Sequence, residues 1–456
     1  MTSVSLYWFR RDLRLADSPA LEAAAAAGDV VGVFVADDAL LAPAGATRRA
    51  YLAATLDALN EMIGGKLCVR VGDPVEVLTR LAREVGARAV FATADVGPYG
   101  RARDQRVASA LAAHGVATHF LDSPYAVEPG VVRTANGDPY RVFTPFRRAW
   151  SREVVPPPRS AVAVGWRVAS GESAATVARL GGTRRPWYFG GLDDGPAPLG
   201  GVGEFAARES LAEFAQRAED YGATRNRPDL DATSRLSAFL RFGVLHPRQV
   251  LAMVGEETFV AEIVWREFYA DVLFHRPDSA RESLHPAHAR LKVDRDESAA
   301  VRFQRWARGE TGFPLVDAGM RQLLAEGWMH NRVRMVVASF LVKHLHLDWR
   351  WGARWFMWRL VDGDLASNQH GWQWCAGVGT DAAPFHRIFN PTLQAERFDP
   401  EGEYVRRYVA ELADVAAPFI HQPGARGWAD RYPAPMIDLA AERHEALARW
   451  AAATRP

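Results

Sequence analysis

The sequence predicts an N-terminal α/β domain with a doubly wound parallel sheet, similar to a Rossmann fold, and a larger all-α domain joined to it by a long linker. The chain has 456 residues, more than a single hydrophobic core usually serves. Short apolar runs alternate with amphipathic segments up to about residue 122, whereas apolar residues recur at helical spacing from Glu204 onward. We therefore place the α/β domain at 1–122, the linker at 123–203 and the helical domain at 204–456.

The alternation of strand-like and helix-like segments in residues 1–122 is typical of a parallel sheet. Candidate strands are Val4–Phe9, Val30–Val35, Leu67–Val71, Ala89–Ala92 and Ala117–Leu121, and candidate helices are Pro19–Ala27, Thr47–Ile63, Pro74–Glu84 and Arg101–His114. Such sheets bind ligands at the carboxyl ends of their strands, where Phe9–Asp12 and Asp95–Arg101 lie. The domain has no glycine-rich phosphate loop of the GxGxxG or Walker type, so nucleotide phosphate binding in this half is not indicated.

The rest of the chain divides into a punctuated connection and a helical region. Proline and glycine clusters mark residues 123–203, and Asn136-Gly137 predicts a small hairpin there. Predicted helices in the second half are Glu204–Tyr221, Pro247–Val254, Thr258–His275, Phe313–Glu326, Asn331–His344 and Arg350–Leu360.

Composition favours a soluble, cytoplasmic protein, which we expect to be a monomer. The formal net charge is +1, so any nucleic-acid surface must be local. Cys68 and Cys375 are the only cysteines, which fits a reducing compartment and argues against a metal site built on thiolates. No apolar run reaches the roughly twenty residues of a membrane helix, and charge appears too early in the chain for a secretory signal.

The stretch from Trp328 to Trp374 is the most informative part of the chain. It contains seven of the 15 tryptophans, at positions 328, 349, 351, 355, 358, 372 and 374. Carboxylates and amides that a packed core would normally exclude lie among them. This mixture predicts a pocket for a large flat ligand with polar edges; the alternative is an aromatic helical core with an internal salt bridge.

Two further segments have residue types suited to ligand binding. Thr233–Ser237 places hydroxyls ahead of an apolar helix, which suits phosphate oxygens, although an ordinary helix cap is the alternative. Glu262, Trp265, Arg266 and Tyr269 share one helix face, where an acid and an indole could bind and stack on a base. The alternative there is a half-buried helix with an internal ion pair.

Individual side chains in the tryptophan-rich stretch suggest specific partners. Asn331, Arg334 and Met335 share a helix face, and Arg334 is placed to pair with Asp362 or Asp364. The Asn368 amide can donate or accept without carrying charge, which suits a cofactor whose redox state changes. We expect Trp349 to lie one helix away from Trp372, as in an indole relay.

Together these segments resemble the photolyase/cryptochrome flavoproteins. TSRLS, VWREFY, GWMHNRVRM, DGDLASN and GWQW occur in the order and spacing of that family, as do WFRRDLRL at 8–15 and TDAAPFHRIFNP at 380–391. The resemblance covers nearly the whole chain. It is greatest to the class I cyclobutane pyrimidine dimer DNA photolyases.

The resemblance implies an FAD site and a lesion site. The residues that it implies for FAD are Tyr221, Thr233, Ser234, Arg235, Leu236, Ser237, Glu262, Arg266, Trp328, Asn331, Arg334, Asp362, Gly363, Asp364 and Asn368. Asn368 would face the reactive ring nitrogen and support the reduced, anionic flavin. Glu262 would hydrogen-bond the pyrimidine carbonyls, Trp265 and Trp374 would sandwich the flipped-out dimer, and Asn331 and Met335 would complete the catalytic site.

The activity that the resemblance implies is light-driven repair of cyclobutane pyrimidine dimers in DNA. Excited reduced FAD would donate one electron to the dimer and take it back after the ring opens. Arg225, Arg266, Arg332 and Arg387 match positions that contact DNA phosphates, with Trp265 and Trp374 at the lesion. The (6-4) photolyases of the family have histidine where this chain has Asn331 and Met335, which disfavours that substrate. Relatives that prefer single strands usually have glutamine at the Met335 position, which disfavours that preference.

Two other functions remain as alternatives. One is a cryptochrome-like blue-light photosensor without repair activity. The other is a helical electron-transfer flavoprotein that does not bind DNA, which would leave Glu262, Trp265 and the arginines unexplained.

A second, antenna chromophore is also implied. Arg10, Arg11, Asp12, Asp95, Tyr99, Gly100 and Arg101 match the antenna site of the family. Folate-binding members have an Asn-Glu pair where Tyr99-Gly100 stands. We therefore expect 8-hydroxy-5-deazaflavin rather than methenyltetrahydrofolate, and the alternative is an empty pocket.

One departure from the family concerns electron transfer. Trp372 and Trp349 match the first two members of its tryptophan triad, but residues 291–296, where the third belongs, contain no aromatic residue. We expect photoreduction of the oxidised flavin to be slow or rerouted through Trp351, Trp355 or Trp358, while repair from reduced flavin is retained.

Overall fold

The five predicted strands form one parallel sheet. The computed structural model describes residues 3–192, 195–198, 200–285, 290–417, 419–422 and 431–455. The strands are β1 (Val4–Phe9), β2 (Asp29–Ala36), β3 (Cys68–Val71), β4 (Ala89–Thr93) and β5 (Ala117–Leu121). Their order is β3-β2-β1-β4-β5, and every pair is parallel. Strands β2 and β3 are added on one side of β1, and β4 and β5 on the other, which confirms the doubly wound sheet and puts its switch point between β1 and β4.

Each helix predicted from the sequence is present, most of them with shifts at their ends. In chain order they are α1 (Pro19–Ala27), α2 (Asp38–Leu41), α3 (Ala46–Met62), α4 (Pro74–Val85), α5 (Pro98–Ala112), α6 (Phe143–Trp150), α7 (Ala175–Arg179), α8 (Gly203–Ala215), α9 (Tyr221–Thr224), α10 (Ser237–Phe242), α11 (Pro247–Met253), α12 (Glu257–His275), α13 (Glu297–Arg308), α14 (Pro314–Glu326), α15 (Asn331–Lys343), α16 (Trp349–Arg359), α17 (Leu365–Ala376), α18 (Pro391–Phe398), α19 (Glu403–Tyr408) and α20 (Leu439–Thr454). The helices α2, α6, α7, α13, α17, α18, α19 and α20 were not predicted. Among the described helices, none has the length and apolar character of a membrane span.

Two expected helix boundaries were wrong. The helix predicted at Glu204–Tyr221 ends at Ala215, and a 3₁₀ turn and the short helix α9 follow it. The helix predicted from Arg101 begins at Pro98, because proline at the first helical position is a start signal. An isolated antiparallel bridge between Arg133 and Pro139 closes the turn at Asn136-Gly137.

The chain forms two compact units. The first contains residues 1–184, 199–219 and 234–277, and the second contains residues 185–198, 220–233 and 278–456. The first therefore includes the sheet and α8, α10, α11 and α12, and the second includes α9 and the helices from α13 onward. The domain limits expected from the sequence, at residues 122 and 204, remain a prediction.

Within the first unit, the buried carboxylate of Glu267 on α12 fastens the segment that follows the sheet. It accepts hydrogen bonds from the backbone N–H of Ala126 (2.5 Å) and Val127 (3.1 Å) and from Nε1 of Trp150 (2.6 Å). Burial raises the pKa of Glu267 to about 6, and these donors only partly oppose that rise. The same bonds tie α6 to α12.

Within the second unit, α16 and α17 pack closely at Gly352. A Cβ atom added there would lie 2.1 Å from Cη2 of Trp372 and 2.5 Å from its Cζ3. The Trp372 ring is also held by Trp306 and Phe356, with ring centroids 6.2 and 5.0 Å away. Residue 352 must therefore lack a side chain for the two helices to reach this distance.

We expect Gly352→Ala to lower the free energy of unfolding by about 1–3 kcal/mol through overpacking. This exceeds the helix-propensity gain of up to about 1 kcal/mol. Gly371 on α17 is the matched control, because a Cβ there meets no atom within 4 Å. Urea unfolding of Gly371→Ala should be unchanged or shifted upward, and equal midpoints for both variants would contradict the steric argument.

We expect Glu267→Gln to lower the free energy of unfolding by about 1–3 kcal/mol. The amide has one acceptor oxygen where the carboxylate has two, and its own N–H groups would face other donors. The folded-state pKa of about 6 lies above the ordinary 4.5, so the folded protein binds the proton more tightly. The contribution of this group to stability should therefore fall as pH rises from about 4.5 to about 6. Unfolding curves across this range should show that slope in wild type and in Trp150→Phe, but not in Glu267→Gln.

Candidate functional site

An ion pair between Arg334 and Asp362 lies at the polar centre of the tryptophan-rich stretch. Nη2 of Arg334 is 2.8 Å from Oδ2 of Asp362, and Nε of Arg334 donates to the carbonyl oxygen of Met329 at 2.8 Å. Of the two predicted partners, Asp362 is therefore the one that Arg334 contacts. Asp364 instead caps α17 by accepting from the Ser367 N–H at 3.0 Å.

Asp362 retains an acceptor atom for a ligand. The residue is 7 % exposed, and its Oδ1 is buried without a hydrogen-bond partner among the described residues. A buried carboxylate oxygen without a donor is unfavourable, so a ligand N–H is its expected partner. The pyrimidine edge of a flavin ring and the amino group of adenine both carry such N–H groups. The open acceptor oxygen of Asp362 therefore fits the N–H groups of FAD.

The amide of Asn368 is oriented by its neighbours. Its Nδ2 donates to the carbonyl oxygen of Ala353 at 3.0 Å and to Oε1 of Gln369 at 2.9 Å. Both N–H bonds are thus used inside the second unit, which leaves Oδ1 as the atom able to accept from a ligand.

The other predicted flavin residues of the tryptophan-rich stretch lie near the ends of α15 and α17. Trp328 is half-buried, with its ring edge-on to His330, which caps α15. Asn331 is exposed at the first position of α15, and Met335 is half-buried one turn later. Gly363 is buried between the two aspartates.

Trp349 and Trp372, the tryptophans of the predicted relay, lie on neighbouring helices without a ring contact between them in the described part of the chain. Nε1 of Trp349 donates to Oγ of Ser283 at 2.9 Å, and the helix that carries it packs on Trp372 through Gly352. Among the described residues the ring of Trp372 contacts Trp306 and Phe356 but not Trp349. The electron-transfer roles of Trp349 and Trp372 remain predictions.

In the first unit, α12 carries the acid and the indole expected at the lesion. Trp265 is half-buried, and Phe143 of α6 stacks on it with centroids 3.6 Å apart and planes 6° from parallel. Glu262 is half-buried and precedes Trp265 by one helical turn, so both lie on one side of α12, as predicted. In the second unit, Trp374 is half-buried on α17.

Arg266 has structural partners inside the first unit. Its guanidinium lies 4.3 Å from the ring centroid of Tyr125, and it donates to the carbonyl oxygens of Pro124 (3.1 Å) and Leu240 (3.4 Å). These bonds use N–H groups on both terminal nitrogens of the Arg266 guanidinium. Contacts with flavin or DNA phosphate remain predictions for this residue.

The hydroxyl-rich segment 233–237 leads into α10, which begins at Ser237 without a side-chain cap. The segment turns sharply at Arg235, whose φ is +51°, and Ser234 Oγ accepts from the Leu236 N–H at 3.4 Å. The residue at the N-cap position of α10 is Leu236, which has no side-chain acceptor, and the helix-cap and phosphate-binding interpretations of the hydroxyls both remain predictions. Tyr221, the remaining predicted phosphate ligand, is buried on α9.

Several arginines of the second unit form a basic cluster. The pKa of Arg332 is lowered first by burial and then by the positive charges of Arg225 and Arg397. Arg332 also donates to Oδ1 of Asn226 at 2.7 Å. The exposed side chain of Arg387 has no hydrogen-bond or ion-pair partner among the described residues, although its backbone carbonyl accepts from Nζ of Lys343 at 3.0 Å. Such clustered cations suit phosphate oxygens.

The switch point of the sheet carries the predicted antenna residues. Arg10, Arg11 and Asp95 line a small pocket there. Burial alone would raise the pKa of Asp95, but the charges of Arg103, Arg10 and Arg11 lower it below its usual value. A Cβ at Gly100 would lie 2.1 Å from Cγ of Asp95, so only glycine fits that position.

Other antenna candidates have structural roles. The buried Asp12 accepts from the hydroxyls of Tyr7 and Thr93, each at 2.7 Å. The Tyr99 hydroxyl donates to Asp37. Arg101 lies over the ring of Phe274 on α12, 4.4 Å from its centroid.

Some residues that build the site were not found from sequence. Gln369, His370 and Gln373 of α17 bond to Ser279 and Ala280, which fixes that helix. Burial lowers the pKa of His370 to about 4, so it is neutral in this role. Phe143 and Arg397 were also missed, because no local pattern indicates which distant residue they contact.

Comparisons with known proteins identify the family of the chain. Residues 5–162 match the family model for DNA photolyase, and residues 259–452 match that for the FAD binding domain of DNA photolyase. A deoxyribodipyrimidine photo-lyase of Streptomyces griseus is 41 % identical over 97 % of this chain and 98 % of its own. A bacterial class III photolyase from Agrobacterium tumefaciens superposes with a TM-score of 0.90 at 36 % identity, covering 100 % of this chain and 98 % of its own. An archaeal photolyase from Sulfolobus tokodaii, described with two FAD molecules, superposes with a TM-score of 0.86 at 29 % identity. The match covers 98 % of this chain and 99 % of the Sulfolobus tokodaii chain.

Three observations lead to one conclusion: the sequence motifs, the sheet followed by the helical FAD-binding region, and the similarity to relatives over nearly the full length of the chain. The chain is an enzyme of the photolyase/cryptochrome family, and it belongs there with the deoxyribodipyrimidine photo-lyases.

Proposed function

We propose that this protein repairs cyclobutane pyrimidine dimers in DNA with light absorbed by reduced FAD. The observation that carries the proposal is the arrangement on α12, where Glu262 lies one turn from Trp265. The ring of Phe143 stacks on the Trp265 indole and fixes its orientation. A flat indole offers a stacking surface for bases of any sequence, and a carboxyl group beside it can bond to pyrimidine carbonyls when protonated.

The FAD would be held by residues with different tasks. Arg334, Asp362 and Asp364 would bind the polar edges of the rings, and the hydroxyls of 233–237 with Tyr221 would bind the phosphates. When bound, reduced FAD supplies a light-excited one-electron donor that regains its electron after the dimer opens. Asn368 would accept from a flavin ring N–H through Oδ1, because both of its own N–H bonds are used elsewhere.

The lesion would have to leave the helix to reach this site. A dimer stacks poorly, so extruding it costs less than extruding normal bases, and this difference gives selectivity without reading sequence. Trp265 and Trp374 would stack on the extruded bases, and Asn331 and Met335 would contact their edges. Arg225, Arg332 and Arg387, joined by Arg397, would bind the flanking phosphates.

For the antenna we propose 8-hydroxy-5-deazaflavin rather than methenyltetrahydrofolate. The absence of the folate-type Asn-Glu pair at Tyr99-Gly100 supports this choice, as does the cationic pocket formed by Arg10 and Arg11. Extraction of the chromophore and its absorption spectrum would test it. A folate spectrum, or a second FAD as described for the Sulfolobus tokodaii protein, would contradict it.

A photosensor without repair activity is the less favoured function. Near full-length relatives are named as photo-lyases, and the acid, indole and amide expected for a lesion site are all present. We therefore keep repair as the single proposal, with class I membership as part of it.

We expect Glu262→Ala to lower the yield of dimer repair while FAD stays bound, because the substitution removes the group that bonds the pyrimidine carbonyls. Reduced protein would be illuminated with dimer-containing DNA, and recovery of thymine absorbance would be measured. Glu257→Ala is the matched control, since Glu257 lies on the same helix in an exposed pair with Arg147. No recovery in FAD-loaded wild type would refute the proposed function, and an unchanged yield in Glu262→Ala would refute its role.

We expect Arg387→Gln to weaken binding to dimer-containing DNA and to reduce the slope of log affinity against log salt by about 0.9, the value for one lost phosphate contact. Binding would be titrated at several salt concentrations. Arg80→Gln is the control, because the 58 % exposed Arg80 side chain has a surface partner in Glu84. Identical salt slopes for wild type and Arg387→Gln would exclude the phosphate contact.

A further inference from the structure

Trp187, in the connection that belongs to the second unit, is an exposed indole that contacts the buried aromatic core. It is 62 % exposed, and its ring centroid lies 5.7 Å from that of the buried Trp351, with the planes 83° apart. The ring of Tyr188 stacks on the Trp351 indole, with the ring centroids 4.1 Å apart. Single exposed apolar residues need no explanation. Trp187 differs because it is the one exposed tryptophan in the described ranges and it contacts an indole of α16.

Ring contacts continue inward from Trp351 to Trp372. The centroid of Phe303 is 5.9 Å from Trp351 and 5.6 Å from Trp306, and Trp306 is 6.2 Å from Trp372. Trp351 also precedes Gly352, on which the Trp372 ring packs. A continuous set of aromatic contacts therefore joins solvent to the indole one turn from Asn368.

The substitutes expected from sequence are not surface residues. Trp351, Trp355 and Trp358 are 7 %, 1 % and 3 % exposed. None of them can exchange electrons directly with a reductant in solution. An exposed partner is needed, and among them Trp351 is the one with a ring contact to Trp187.

We propose that Trp187 is the entry point for electrons during photoreduction of oxidised FAD, in place of the surface tryptophan missing from residues 291–296. The proposal rests on the proposed function only in requiring bound FAD. An electron that Trp372 supplied to bound, light-excited FAD would be replaced from Trp187 through Trp351 and Trp306, with the ring of Phe303 lying between those two indoles. The oxidised Trp187 indole releases its N–H proton to water, and a thiol in solution restores one electron and one proton. Two thiyl radicals then couple to a disulfide.

The test is photoreduction under blue light with a thiol, followed by the loss of oxidised-flavin absorbance. Trp187→Phe should photoreduce severalfold more slowly than wild type. Its tryptophan radical, followed by transient absorption, should recombine before the thiol reacts. Trp166→Phe is the matched control, a half-buried indole in the first unit that packs on Phe9, and it should behave as wild type.

Two measurements separate this proposal from its alternatives. Acrylamide quenching of FAD-free protein should decrease more in Trp187→Phe than in Trp166→Phe, and chemically reduced Trp187→Phe should repair dimers at the wild-type rate. Wild-type photoreduction in Trp187→Phe, an equal loss in Trp166→Phe, or lost repair after chemical reduction would each overturn the proposal. Failure of chemically reduced wild type to repair dimers would instead refute the proposed function, and the photoreduction rates would still decide this one.

Discussion

The second unit depends on the close approach of α16 and α17, which is possible only because residue 352 has no side chain. The Trp372 ring occupies the space next to Gly352 and also contacts the rings of Trp306 and Phe356. Three buried polar side chains of α17 then bond to Ser279 and Ala280, so their burial is compensated. This fixed helix determines where Asn368 and Asp364 lie.

Two buried carboxylates differ in how far groups of the protein itself satisfy their oxygen atoms. Glu267 accepts three N–H bonds from its own unit, so the cost of its burial is partly offset within the protein. Asp362 is bonded to Arg334 through Oδ2, but its buried Oδ1 has no donor among the described residues. The first carboxylate fastens α6 to α12, and the second retains an acceptor for a bound group.

The elements set by local pattern were predictable from sequence, and those set by distant contacts were not. All five strands were found because each is a short apolar run bounded by turns, and α12, α14 and α15 because their apolar residues recur at helical spacing. The helix α17 was missed because its buried face includes Gln369, His370 and Gln373, whose partners lie about ninety residues away in the chain. Family motifs located the candidate site, but the choice of Asp362 over Asp364 and the stacking of Phe143 on Trp265 required coordinates.

The residues proposed for repair and those proposed for flavin reduction are separate sets in this chain. Glu262 and Trp265 lie on α12, whereas Trp187 and Trp351 belong to the connection and to α16. A change at the surface end of the aromatic series can therefore alter how the cofactor is reduced without touching the groups proposed to bind the lesion. If Trp187 has the proposed role, no surface tryptophan is required within residues 291–296, because an exposed indole in contact with the buried rings meets the same physical requirement.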